Sequence, residues 1–325
     1  MTTAQPRIVF LDAATYGDLS LRSFTDRWQC TVHQVTRPEQ TIQRLAGHAV
    51  AVTNKVVMDR AALNSNEAWD LKLIAVAATG TDIIDKAAAA QRGVSVCNVP
   101  GYATQSVAQF TMALILELAT RASRYGDAVK AGEWQKSPVF TLLTYPTVEL
   151  NGKILGIVGY GNIGQTVARM ARGFGMAILV AARPGGRGPI SADRTPLEQL
   201  LKNADVVSLH CPLTPETKNL INKQSLSLMK PTAFLINTAR GALIDEAAVI
   251  AALREKRIAA AALDVITQEP PPADHPIIQA AKEIENLLVT PHAAWSAREA
   301  RERLLNEVAA NIAAFFAGKP RNIVA

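Results

Sequence analysis

Three side chains of complementary type stand just beyond apolar runs that read as strands. They are Arg240 in Leu235-Ile-Asn-Thr-Ala-Arg-Gly241, Glu269 in Asp264-Val-Ile-Thr-Gln-Glu-Pro270, and His292 in Thr290-Pro-His-Ala-Ala-Trp295. Open α/β sheets place ligands at the carboxyl ends of their strands, so these groups can converge on one cleft. The chemistry that needs them is hydride transfer to a 2-keto acid, which builds negative charge on the carbonyl oxygen. An imidazolium can deliver a proton there. A neighbouring carboxylate keeps it charged and oriented. A guanidinium can clamp the substrate carboxylate and polarise the carbonyl. Singly, each has an ordinary reading: His292 as a structural or surface imidazole, Arg240 as a helix cap or ion-pair partner, Glu269 as a solvated loop acid. Their joint placement is the argument. His33, His48, His210 and His275 have no such company and read as structural.

A second motif concerns phosphates. Gly159-Tyr-Gly-Asn-Ile-Gly164 follows a strand and opens a helix, the context in which G-x-G-x-x-G marks a dinucleotide site. Gly159 permits the tight turn, Gly161 lets the backbone approach a pyrophosphate, and Gly164 lets helix and strand pack closely. Asn162 and Ile163 then lie at the positive helix end, whose amides hold phosphate. An acid about twenty residues further on normally marks NAD. Here the strand Ala177–Ala182 ends without one; Arg183 follows, and then Arg187. A guanidinium binds a 2′-phosphate that a carboxylate would repel, so NADP is expected over NAD. The alternative is Arg183 as a solvated loop residue, with NAD accepted through other contacts. Asp193 lies too far along to replace the missing acid.

The elements that must position these groups alternate between strand and helix. Strands are expected at Arg7–Leu11, Ala49–Thr53, Leu73–Ala77, Val94–Asn98, Lys153–Gly159, Ala177–Ala182, Asp205–His210, Ala233–Thr238, Ala259–Val265 and Leu287–Thr290. Helical windows include Asn162–Phe174, Thr195–Lys202 and Asp245–Lys256. The pattern implies an α/β fold with parallel sheets covered by helices. Tyr102–Ser123 reads as one long helix. The last helix has Ser296 as N-cap with Glu299 completing a capping box. Its apolar stripe is Leu304, Leu305, Val308, Ile312, Phe315 and Phe316, and Gly318 and Pro320 end it.

Composition narrows the class. The chain has 325 residues, 49% hydrophobic and 19% charged, which suits about two globular domains rather than a disordered chain. The net charge of +6, with no basic stripe, disfavours a nucleic-acid platform but suits an anionic ligand. Cys30, Cys97 and Cys211 are scattered, which argues against a disulfide framework or a zinc site and for a reducing, cytoplasmic setting. No metal ligand set is expected. An apolar strand begins at Ile8 with no room for a signal peptide, and no apolar run is long enough for a membrane span.

The motifs VGYGNIGQ (158–165), LHCPLTPET (209–217), INTARGALIDE (236–246), ALDVITQEPPPADHP (262–276) and TPHAAW (290–295) carry a resemblance. Over nearly its full length the chain resembles the D-isomer-specific 2-hydroxyacid dehydrogenases. Thr53–Val57, Ala77–Thr81, Ser106–Gln109 and Phe140–Tyr145 look most like the glycerate dehydrogenases, also called hydroxypyruvate or glyoxylate reductases. Ala182 departs from the acid that many of these enzymes have there. The resemblance implies two Rossmann-like, doubly wound parallel-sheet domains with a cleft between them. A discontinuous substrate domain takes 1–99 and 293–325, and the dinucleotide domain takes 100–292. Arg240 becomes the substrate clamp, His292 the acid/base and Glu269 its partner, with Arg240 and His292 also bordering cofactor and substrate.

The same resemblance makes Thr104, Cys211, Pro212, Thr217, Thr238, Ala239 and Ala294 cofactor neighbours. Asp264 is implied as the nicotinamide-amide partner, or else as a cap on local backbone. Substrate contacts are expected at Lys55 and at the loop Ala78-Thr79-Gly80. The Tyr102–Ser123 helix and the Trp134 loop imply a homodimer. The expected reaction is NADPH-dependent reduction of glyoxylate or hydroxypyruvate to glycolate or D-glycerate. Formate dehydrogenase relatives carry Gln where Glu269 stands and are disfavoured. Phosphite dehydrogenase relatives share the triad, and a dinucleotide-sensing interaction protein can retain it, so both remain alternatives.

Overall fold

In the computed structural model, residues 5–186 and 191–325 are described; Arg187, expected beside Arg183, lies outside them. The first sheet comprises Arg7–Phe10 (β1), Gln29–Val32 (β2), Val50–Thr53 (β3), Leu73–Val76 (β4) and Ser95–Cys97 (β5). Its strands run parallel in the order β2-β1-β3-β4-β5. The second comprises Ile154–Val158 (β6), Ala177–Val180 (β7), Val206–Leu209 (β8), Phe234–Asn237 (β9), Ala260–Leu263 (β10) and Leu287–Val289 (β11). It is also parallel, in the order β11-β10-β9-β8-β6-β7. In each sheet the chain starts centrally, steps to one edge, and returns to build the other side. The order reverses between β1 and β3 and between β6 and β8. Such switch points open a crevice at the strands' carboxyl ends.

Alternation along the second sheet explains its continuous apolar strands. Leu155, Ile157, Val206, Ile236 and Ala262 join a core with the helices Thr104–Thr120 and Asn162–Gly173. Val158, Val207, Leu235, Ala261 and Leu263 join the opposite core, against helices Leu197–Asn203 and Glu246–Arg254. Both faces are covered, so no position on a central strand needs to be polar.

The chain divides into two compact units, 1–103 with 296–325, and 104–295. These boundaries fall a few residues beyond the expected 99/100 and 292/293. Within the first unit, Arg303 donates to the Tyr102 carbonyl (3.0 Å) and Asn311 to that of Asn98 (2.9 Å), which ties 98–102 to the last helix.

Three expectations are corrected. The single helix over Tyr102–Ser123 is two helices, Thr104–Thr120 and Ala122–Lys130. The break is Arg121, at φ 55°, whose buried guanidinium turns onto Asn286 at 3.0 Å. The last helix spans Arg298–Phe316 with Ala297 at its N-cap and no side-chain cap bond. Ser296 lies outside it, its carbonyl accepting from Arg301. Phe316 is exposed, while Leu304, Leu305, Val308 and Ile312 are buried. Strand β2 was not expected at all. Among the described residues no helix is long and apolar enough to cross a membrane.

Candidate active site

The turn after β6 shows why three glycines are needed. Gly159 sits at φ +99°, and a Cβ there would lie 2.4 Å from the Cys211 backbone nitrogen. A Cβ on Gly164 would lie 2.2 Å from the Gly159 carbonyl oxygen, so any side chain would push the helix off the strand. A Cβ on Gly161 would meet nothing within 4 Å. Gly161 therefore borders open space, as a backbone approached by pyrophosphate must. It is also the N-cap of Asn162–Gly173 and offers no side chain to that helix's first amides. By helix geometry the amides of the first turn, including those of Asn162 and Ile163, have no partner within the helix and suit an anion. The turn opens on a cavity of about 1000 Å³ that also borders Ala182, Arg183, Cys211, Pro212 and Thr217. The donor set and the cradle fit a dinucleotide.

At the far wall, Ala182 donates to the Thr195 carbonyl and Thr195 to that of Val180, both at 2.8 Å. This pairing folds 191–195 back along β7 and brings Arg194 and Ser191 to the cavity beside Arg183. Arg194 lies over the Tyr160 ring, 4.9 Å from its centroid. Glu216 arrives from the β8 side. A Cβ on Gly185, at φ +68°, would lie 2.6 Å from Glu216 Cγ. The Thr214 hydroxyl, with Arg183 contributing, holds the Glu216 carboxyl below its ordinary range. Sequence reasoning missed Arg194, Ser191 and Glu216, because each reaches the cavity from a segment remote from the end of β7.

Three other cavity residues have settled roles. Burial pushes the Cys211 thiol up to about 11, so it stays protonated and is a small wall rather than a nucleophile. Thr217 donates to the Pro212 carbonyl (2.8 Å) and accepts from the Thr214 amide (2.7 Å), so its hydroxyl holds the 212–217 loop. His210 is pushed down to about 4 by burial, with Ser208 Oγ 2.9 Å from Nε2.

The catalytic candidates sit past β9, β10 and β11. Asn237, fully buried, accepts from the Ala239 amide at 3.0 Å and donates to the Arg240 carbonyl at 2.9 Å. It thereby shapes the Thr238–Arg240 turn. Thr238 meets Thr111 of the helix Thr104–Thr120 at 3.0 Å. Arg240 Nη1 donates to the Ala239 carbonyl at 2.8 Å. A Cβ on Gly241 would lie 2.0 Å from the Ile266 carbonyl carbon, so glycine lets the arginine turn abut the loop that carries Glu269. Glu269 accepts from the Ile266 amide at 3.0 Å through Oε1, and its Oε2 is 2.6 Å from His292 Nδ1. With Nδ1 facing the carboxylate, Nε2 is the nitrogen left to face a substrate.

His292 occupies left-handed backbone at φ 52°, a conformation that costs a residue with a Cβ. Asp264, 1% exposed, holds it there. One carboxylate oxygen accepts from the Thr290 hydroxyl (2.6 Å) and the Ala293 amide (2.8 Å), the other from the Ala294 amide (2.9 Å), while the Asp264 carbonyl takes the His292 amide (2.8 Å). Burial raises the Asp264 carboxyl, and these bonds oppose the rise. The carboxylate thus caps local backbone, one of its two expected readings. The Ala294 carbonyl accepts from Ser106 at 2.6 Å, which anchors the loop to the helix headed by Thr104. Among the described residues, no group of three or more His, Cys, Asp or Glu is placed to hold a metal ion.

In the first unit, Asp12 at the end of β1 accepts from the amides of Asn54 (2.9 Å) and Lys55 (2.6 Å). It fixes the turn after β3 and leaves the Lys55 side chain exposed. The 78–80 loop is held by Thr79, whose hydroxyl donates to Val99 at 2.9 Å, and by Asn98, which donates to the Thr79 carbonyl at 2.7 Å.

The chain is similar to known proteins in both sequence and fold. Residues 112–294 match the family described as D-isomer specific 2-hydroxyacid dehydrogenase, NAD binding domain. A glycerate dehydrogenase from Methylorubrum extorquens is 41% identical over 319 residues, covering 98% of each chain. A glyoxylate reductase from Aeropyrum pernix is 42% identical over 268 residues, covering 80% of this chain and 78% of that one. A Thermus thermophilus protein of known crystal structure superposes with a TM-score of 0.85 at 34% identity, over 98% of this chain and 100% of that one. Glycine turn, acid–imidazole pair, paired α/β units and relatives of matching length converge: the chain belongs to the D-isomer-specific 2-hydroxyacid dehydrogenase family.

Proposed function

We propose that this chain reduces glyoxylate or hydroxypyruvate to glycolate or D-glycerate, with NADPH preferred over NADH. The observation that carries the reading is the 2.6 Å contact between Glu269 and His292 Nδ1 on a loop fixed by Asp264. Relatives named glycerate dehydrogenase and glyoxylate reductase support the substrate class. The cofactor's pyrophosphate belongs at Gly161 and the amides of Asn162, Ile163 and Gly164, with Thr104, Cys211, Pro212, Thr238, Ala239 and Ala294 as further neighbours. Bound NADPH supplies the hydride for C2 of the keto acid. His292 gives its proton to the carbonyl oxygen, Glu269 orients the imidazole through Nδ1, and Arg240 holds the substrate carboxylate.

Arg183, Arg194 and Ser191 are the groups suited to a 2′-phosphate, and Glu216 tempers their charge. Exposed Phe140 (90%) and Leu143 (84%) beside Trp134 favour a homodimer joined through this segment. The unpaired cysteines suit the cytoplasm. Steady-state rates with each keto acid and each cofactor test the proposal. The expected result is the higher kcat/KM with NADPH; a higher value with NADH removes the Arg183 assignment, and no turnover of either acid removes the substrate class.

A further inference from the structure

A second acid–imidazole pair lies in the same unit. Glu246 opens the helix Glu246–Arg254, and His275 precedes the helix Pro276–Glu283. Glu246 Oε2 is 3.7 Å from His275 Nε2, and the two side chains are only 12% and 7% exposed. His275 Nδ1 is buried and has no hydrogen-bond partner among the described residues, so the ring's polar engagement there is on its Nε2 side, toward Glu246. The other oxygen, Glu246 Oε1, accepts from the Thr267 amide at 2.7 Å. The preceding amide, that of Ile266, donates to Glu269 at 3.0 Å. One carboxylate therefore bonds the start of the loop 267–275 and lies against the imidazole at its end, and that loop carries Glu269 to His292. A largely buried carboxylate is costly to place unless it is bonded, and Glu246 bonds this loop through the Thr267 amide.

We propose that Glu246 is a positioning residue for the proton-transfer pair, with His275 fixing the direction of its carboxylate. The proposal rests on the reading of His292 as proton donor. Glu246 touches neither substrate nor cofactor in this account. It acts by keeping the Thr267 amide, and hence Glu269, in register with His292.

The test compares Glu246→Ala, Glu246→Gln and His292→Asn in the full chain, with NADPH and glyoxylate in H₂O and D₂O. Glu246→Ala is expected to lower kcat by about 10–100-fold, the cost of a small misplacement at the reacting groups. The KM for NADPH stays near that of the parent, and the solvent isotope effect on kcat rises as proton delivery becomes slower. Glu246→Gln keeps an oxygen for Thr267 and recovers most of the rate. If Glu246→Ala is insoluble, Glu246→Asp, one methylene short of Thr267, supplies the same contrast. A parent-like kcat and isotope effect in the alanine or aspartate variant, with His292→Asn inactive, overturns this inference alone. Parent-like turnover by His292→Asn overturns the reading beneath it.

Discussion

A guanidinium and a carboxylate meet at one corner of the dinucleotide cavity. Arg183 follows β7 directly, Arg194 and Ser191 reach it through the Ala181–Thr195 bridge, and Glu216 crosses from the loop after β8. A charge-assisted hydrogen bond contributes about 1.5–3 kcal/mol, enough for roughly a 10–100-fold swing in selectivity. The pair Ala182→Asp with Arg183→Ala should therefore move the ratio of kcat/KM values toward NADH by that order, measured by initial rates with both cofactors. Arg183 was legible in the sequence because it sits at a strand end, where spacing locates it. Arg194, Ser191 and Glu216 were not, because irregular chain with no periodicity brings them there. The same holds for buried Asn237 and half-buried Glu246, which bond backbone that folding alone brings near.

At the scale of elements, the loop after β11 depends on one acid. Asp264→Asn would present an amide to one of the backbone N–H groups that the carboxylate now accepts. A buried bond lost this way costs about 1–3 kcal/mol, so a lower Tm and a lower kcat are expected together; an unchanged kcat would separate Asp264 from the placement of His292. His210 adds a pH dependence of its own. Its imidazole titrates near 6.5 when unfolded and at about 4 when buried in the native state. Below pH 6.5 the unfolded chain binds the extra proton, so stability falls as pH drops from 6.5 toward 4, by about 3 kcal/mol in total. Denaturant titrations at pH 7.5 and 4.5 should show this loss, and His210→Gln should reduce it. His33 and His48 are shifted downward as well, so the variant comparison isolates His210. Element type was legible wherever both faces are buried, since continuous apolar runs leave few readings. Edge strand β2, Gln-Cys-Thr-Val, has no such run and stayed hidden. The Arg121 break stayed hidden too, because a left-handed arginine looks like any helical residue in sequence.

For the whole molecule, the segment after Ala131 is organised yet turned outward. Trp134 Nε1 donates to the Phe140 carbonyl at 2.9 Å and Tyr125 to that of Tyr145 at 2.9 Å, while Phe140 and Leu143 stay in solvent. Phe140→Asp with Leu143→Asp should convert a dimer to a folded monomer by light scattering; a monomeric parent would contradict the proposed assembly. The α/β character was legible from strand–helix alternation, whereas the split of the first unit across both ends of the chain rested on the family resemblance rather than on any pattern in the residues. The account as a whole stands on the imidazole at position 292. Asparagine tolerates the left-handed backbone there but supplies no comparable proton. Turnover of glyoxylate by His292→Asn, set beside its NADPH affinity, is therefore the most direct test. The expected result is kcat lower by about 10²–10⁴ with cofactor binding within a few-fold of the parent, and near-parental turnover would contradict the account.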